Sequence, residues 1–206
     1  MISNEVREKL DDFIPNPRCE LEYSKDYELL IATLLSAQST DKRVNEVTKI
    51  LFSKYDIFEL SKASLKDIEN IIYPVGTYKR KAIYIKEVCK SLIDNYNGIV
   101  PNNRDYLESL PGVGRKTTNV VLSILYDIPT MPVDTHVARV SKRLNIVNEN
   151  DDVAIIEDKL MNFFPQNSWN RVHHQLVLFG RYTCKSKNPD CPKCPFRQKC
   201  TYNEGR

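Results

Sequence analysis

The sequence predicts an all-α fold, and two observations carry that prediction. Apolar residues recur at helical spacing over most of the chain, and no segment sustains the apolar–polar alternation, bounded by turn residues, that marks a strand. With 206 residues, 41% of them apolar and 28% charged, the chain can bury a sizeable core and is too apolar to remain disordered. Residues 29–35 are apolar nearly all round, which predicts a buried central helix. Helices are expected next over 41–52 and 64–72. Between 78 and 93, Tyr78, Ala82, Ile85, Cys89 and Leu92 form one apolar stripe, with Lys79, Arg80, Lys86 and Lys90 pointing elsewhere. Segments 105–109 and 115–125 flank a glycine-bearing turn, and Val133, Val137, Val140 and Leu144 make a further stripe. Helices over 153–164 and 170–181 complete the set. Pro129 and Pro132 interrupt the pattern and suggest a joint between two helical lobes.

No uncharged apolar run reaches the roughly 18 residues that span a bilayer, and the first residues, MISNEVREKLDDFIPNP, hold no apolar signal region. A cytosolic protein, a monomer without membrane association, is therefore expected (nucleoid-associated if the source is prokaryotic). The net charge of +3 decides little, but seven Lys/Arg from Arg181 onward face only Asp190 and Glu204. Such a patch suits a phosphate backbone and equally a solvated tail.

Four of the six cysteines, Cys184, Cys191, Cys194 and Cys200, crowd into one stretch. In a cytosolic chain that cluster reads as metal-binding and not as a disulfide framework. Four cysteines hold zinc or an iron–sulfur group. Zinc sites usually pair two C-x2-C knuckles; only Cys191/Cys194 makes one here, and the uneven 6-2-5 spacing leans to iron–sulfur, with zinc still open on the residues alone. Cys89 reads as a small core residue, and Cys19 carries no assigned role.

The most informative segment is Leu110-Pro111-Gly112-Val113-Gly114-Arg115-Lys116-Thr117. Its glycines permit positive φ and close approach by a phosphate, and the following helix turns its N–H groups and positive dipole end toward that anion. This is a helix-hairpin-helix pattern, which grips a nucleic-acid backbone without reading sequence; a plain turn between two helices is the bland alternative. Lys116 borders the stripe of Val120 and Ile124 and sits in the first helical turn. Partial burial and the dipole both favour a neutral amine, the only nucleophilic form. A lysine reaching for a phosphate is the competing account. In Pro132-Val133-Asp134-Thr135-His136, Asp134 fits a helix N-cap, and a capping carboxylate stays ionised to serve a nearby amine.

Taken together, LPGVGRKT, the later VDTH, Leu34-Leu35-Ser36-Ala37-Gln38-Ser39-Thr40-Asp41 and the C-x6-C-x2-C-x5-C spacing resemble the helix-hairpin-helix DNA glycosylases, specifically the endonuclease III branch. The resemblance covers nearly the whole chain. It implies a two-lobed fold: a helical barrel at 19–128, and an iron–sulfur lobe built from 1–18 and 129–206. It implies a bifunctional DNA glycosylase and AP lyase of base excision repair acting on double-stranded DNA with oxidised pyrimidines or abasic sites. Lys116 would attack C1′, expel the base and form a Schiff base, and β-elimination would nick the strand 3′ to the site, with Asp134 assisting. Cys184, Cys191, Cys194 and Cys200 would hold a [4Fe–4S] cluster of structural role, folding a loop that otherwise lacks a core. Gln38 would fill the space left by the flipped base, Gly112, Val113, Gly114 and Arg115 would hold the backbone, and Lys185 and Lys187 would meet phosphates, opposed by Asp190.

One departure stands out. Beside Gly76 the branch usually places a bulky apolar wedge, and here stands Thr77, followed by Tyr78. Either Tyr78 turns toward the bases or it stays in its core stripe. His136 matches the branch in identity without an evident role, and His173 and His174 read as packing or capping residues. A non-catalytic DNA-binding protein would need neither Lys116 nor Asp134, and the adenine-excising mismatch relatives lack the lysine.

Overall fold

The computed structural model describes residues 1–200 and 202. Among them are eleven α-helices and no strand. They are α1 (Ser3–Phe13), α2 (Asp26–Leu35), α3 (Asp41–Lys54), α4 (Ile57–Lys62), α5 (Leu65–Ile72) and α6 (Tyr78–Tyr96). After these come α7 (Arg104–Ser109), α8 (Arg115–Tyr126), α9 (Thr135–Arg143), α10 (Val153–Phe163) and α11 (Trp169–Tyr182). The chain divides into two compact units, one of Glu20–Tyr126 and one of Met1–Cys19 with Asp127–Arg206.

In the first unit α2 is the axis. Every residue from Tyr27 to Leu35 is buried, as its all-round apolar sequence requires, against α3, α6 and α8. Short polar side chains start the surrounding helices: Thr40, Ser64 and Asn103 each accept a backbone N–H of the first turn. Helix α4 is not evident in the sequence: six residues are too few to display a period, and no adjoining motif marks it as the hairpin marks α7. It starts from a capping box in which Asp56 accepts from Glu59 N and Glu59 from Asp56 N, both at 2.8 Å. Cys89 is fully buried in the α6 stripe.

In the second unit, Val6 and Leu10 of α1 join Val137, Val140, Leu160, Leu176 and Phe179 in one core. Helices α9 and α11 pack closely because Gly180 lets them: a Cβ there would lie 2.8 Å from that of His136. Asp11 anchors α1 to α11 by accepting from Arg171 Nε at 2.6 Å and Gln175 Nε2 at 2.9 Å. Phe196, from the cysteine-bearing loop, is fully buried edge-on against Phe179. That loop therefore has an apolar anchor in the core, contrary to the expectation that it lacks one.

Candidate active site

The hairpin joins α7 to α8 in the first unit. Gly112 takes φ +77°, and a Cβ on it would fall 2.3 Å from Cδ2 of Tyr84, so any other residue in this turn is strained and crowded. Gly114 differs: its φ is not positive, and a Cβ there would meet nothing within 4 Å. The bare backbone at Gly114 serves no packing need of its own unit. Val113 is buried and its N–H donates to Leu110 O at 3.1 Å, so it shapes the turn and presents nothing outward. Arg115 and Lys116 open α8 and are exposed. The expected partial burial of Lys116 is not found within its unit, because the first turn of α8 extends beyond the core that Val120 enters. Its ammonium has no hydrogen-bond or ion-pair partner among the described residues of that unit.

Two further turns of the same unit meet. Gln38, after α2, and Thr77, before α6, are both exposed and both left-handed, with φ +59° and +56°. For a β-branched residue such as Thr77 that backbone is strained. The turns touch: a Cβ on Gly76 would lie 3.3 Å from Gln38 O. The Thr77 hydroxyl, which as a wedge would need a partner, donates to Gly76 O at 2.7 Å. Tyr78 is half-buried at the head of its stripe. Buried Lys81 donates to Leu35 O at 2.9 Å and Ala37 O at 2.6 Å, and burial pulls its pKa below the usual lysine value. The sequence pattern had left Lys81 unremarked among its charged neighbours.

Asp134 belongs to the second unit and caps α9. Its Oδ1 accepts from the N–H groups of His136 and Val137, both at 2.8 Å, while Oδ2 has no donor among the described residues of its unit. The cap thus leaves one carboxylate oxygen available. His173, 5% exposed, donates from Nδ1 to Pro132 O at 2.8 Å and steadies the segment before Asp134. His136 Nδ1 accepts from Arg139 Nη2 at 3.1 Å, which puts the ring proton on Nε2. Arg139 also donates to Gly180 O and Cys184 O, so His136 belongs to the α9–α11 packing. His174 is half-buried, and loss of hydration lowers its pKa.

Cys184, Cys191, Cys194 and Cys200 line one small hollow together with Arg143, Arg197 and Tyr202. None of the four is joined in a disulfide. Four thiols around one hollow are a donor set that suits an iron–sulfur group and also a zinc ion. Burial and the neighbouring thiols push Cys194 up to about 11, a cost that a cationic core would reverse. Arg143 organises the rim, donating to Cys184 Sγ at 3.4 Å and Lys185 O at 2.7 Å. Lys185 and Lys187 are exposed, and Asp190, expected to oppose them, is paired with Lys193 at 3.2 Å.

Residues 31–166 match the model of the HhH-GPD superfamily base excision DNA repair proteins. The chain is 45% identical over 200 residues to endonuclease III of Bacillus subtilis (strain 168), covering 97% of this chain and 91% of that protein. The chain belongs to the endonuclease III family. To the Escherichia coli (strain K12) endonuclease III it is 39% identical over 201 residues, with 97% and 95% covered. A solved non-covalent endonuclease III–DNA complex superposes with a TM-score of 0.95 at 43% identity, over 100% of this chain and 98% of that one. A trapped endonuclease III–DNA covalent intermediate gives 0.94 at 43% identity, over 100% and 99%. The protein is accordingly a DNA glycosylase and AP lyase of the base excision repair class. No helix among the described residues is long and apolar enough to cross a membrane.

Proposed function

We propose that this chain removes oxidised pyrimidines from duplex DNA and cleaves the resulting abasic site, with Lys116 as nucleophile and Asp134 as its carboxylate. The observation that carries the reading is the exposed Lys116 in the first turn of α8, two residues after a glycine whose outward side is empty. A DNA backbone held at Gly114 and Arg115 brings a sugar within reach of that amine. Gly112 and Val113 contribute by shaping the hairpin.

The Lys116 nitrogen forms a bond to C1′ while the glycosidic bond breaks, its electron pair leaving with the base. Loss of the nitrogen proton opens the sugar to a Schiff base. Removal of a C2′ proton then expels the 3′ phosphate by β-elimination, and water releases the lysine. The spare oxygen of Asp134 accepts the amine proton or faces the positive charge that develops on the sugar.

The target nucleotide must leave the stack first, at a cost of a few kcal/mol. Gln38 and Thr77, side by side in two strained turns, are assigned to the space that it vacates. The four cysteines are assigned to a [4Fe–4S] cluster, which supplies structural cross-linking and no step of the reaction, with Lys185 and Lys187 of that loop meeting phosphates. The cluster assignment is checked by metal analysis of the purified protein: about four iron atoms per chain are expected, and one zinc with no iron would overturn it. The reaction is checked by product analysis on a duplex bearing one oxidised pyrimidine. Free base and a strand carrying a 3′ unsaturated aldehyde are expected, and release of the base with an intact abasic strand would remove the lyase step.

A further inference from the structure

Lys81 is only 4% exposed, yet no carboxylate among the described residues pairs with it. A buried ammonium is costly and persists where its hydrogens are satisfied. Here two of the three donate to the carbonyls of Leu35, the last residue of α2, and Ala37, in the turn beyond it. A cation at that place also meets the negative end of the α2 dipole. A second tie joins the same region to the turn before α6: Gly76 N donates to Ser39 Oγ at 3.1 Å. Between the two ties stand Gln38 and Thr77, both non-glycine residues in left-handed backbone. Such conformations last only where the surroundings over-determine them.

We propose that Lys81 is a positioning residue: with the Ser39 hydroxyl it clamps the Gln38 turn onto the Thr77 turn, so that both side chains enter the base stack as one rigid pair. A lone turn with a strained residue would relax, and the helix end would be hydrated instead. The clamp converts the loss of stacking at the flipped nucleotide into contact with a preformed surface, which spares the ordering of two loops during the event. The inference rests on the assignment of Gln38 and Thr77 to the DNA made above.

Lys81→Met keeps the length and apolar stem but removes the donors, and Ser39→Ala removes the second tie. Three substrates are compared in single turnover: a well-paired oxidised pyrimidine, the same lesion mismatched, and a preformed abasic site. Lys81→Met is expected to slow excision from the well-paired duplex by about tenfold or more, with less than about threefold change at the abasic site, where no base must be extracted. Ser39→Ala should act in the same direction by roughly two- to fivefold. A 2-aminopurine placed opposite the lesion should brighten less on saturation with either variant than with the parent, since it reports unstacking without chemistry. A merely structural lysine would lower all three rates by one common factor and leave the fluorescence response unchanged, and that result overturns the proposal. Should Lys81→Met not fold, Ser39→Ala decides by itself: absence of selective slowing refutes the clamp. A parent protein inactive on every substrate would instead refute the assigned function, and is seen before any variant is made.

Discussion

Replacing each hairpin glycine by alanine separates folding from binding. At Gly112 the new Cβ meets two penalties. Left-handed backbone costs an alanine about 1 kcal/mol more than a glycine, and contact at 2.3 Å with Cδ2 and 2.8 Å with Cε2 of Tyr84 must be relieved. Tyr84 is half-buried, so its ring can swing only partly, and overpacking of this kind costs about 1–3 kcal/mol. The sum is about 2–4 kcal/mol, a fall in melting temperature of roughly 5–15 °C for a chain of this size. At Gly114 neither penalty exists, because φ is not positive and the space is empty. Its replacement should stay within about 1 kcal/mol of the parent, the residual cost being a poorer residue at the helix start. Binding should respond in reverse. A methyl group at Gly114 intrudes where the phosphate approaches, so affinity for undamaged duplex, read by fluorescence anisotropy at fixed salt, should fall about tenfold, or 1.4 kcal/mol. Gly112→Ala with an unchanged melting temperature, or Gly114→Ala with parental affinity, would refute this division of labour.

Asp134→Asn keeps a capping oxygen but removes the charge, so turnover should collapse while thermal stability stays within about 1 kcal/mol; equal turnover would leave Asp134 as a cap only. Thr77→Leu should raise excision on well-paired lesions more than on mismatched ones, at some cost in stability from its left-handed backbone; an equal response on both shows that the wedge does not limit flipping. Lys185→Ala with Lys187→Ala should flatten the salt dependence of DNA affinity, and an unchanged slope places that loop away from DNA. Burial alone would raise the Asp11 pKa, but hydrogen bonds from Arg171 and Gln175 hold it below the usual carboxylate value. Its contribution is therefore present above the ordinary carboxylate range and lost as pH falls through the lowered value. Asp11→Asn should cost at most about 1 kcal/mol at neutral pH, since both side chains are nearly half exposed, and should flatten the acid limb of the stability curve.

Long helices with a clear apolar stripe, such as α6 and α9, could be read directly from spacing, because burial on one face leaves a period in the chain. Helix α4 is too short for that, although Asp56 and Glu59 carry its capping box in plain view. The hairpin was legible as a motif, but not the different duties of its two glycines, which depend on where Tyr84 sits across the fold. Lys81 was hidden for a similar reason. Its acceptors lie 44 and 46 residues away, and its neighbours Lys79 and Arg80 suggest a solvated face. Gln38 and Thr77 carry no sequence mark of left-handed backbone, since neither is glycine. For Lys116, proximity to the Val120 stripe suggested partial burial, and only the structure shows that the first turn of α8 stands clear of the core.

The most direct test of the central claim is to identify the residue that becomes joined to DNA. The protein is incubated with a duplex carrying one oxidised pyrimidine, reduced with borohydride, digested and sequenced by mass spectrometry. The account predicts a stable adduct on the peptide containing Lys116, absent in Lys116→Gln, which should remain folded because that side chain is exposed. An adduct on another residue, or undiminished trapping by Lys116→Gln, would contradict it.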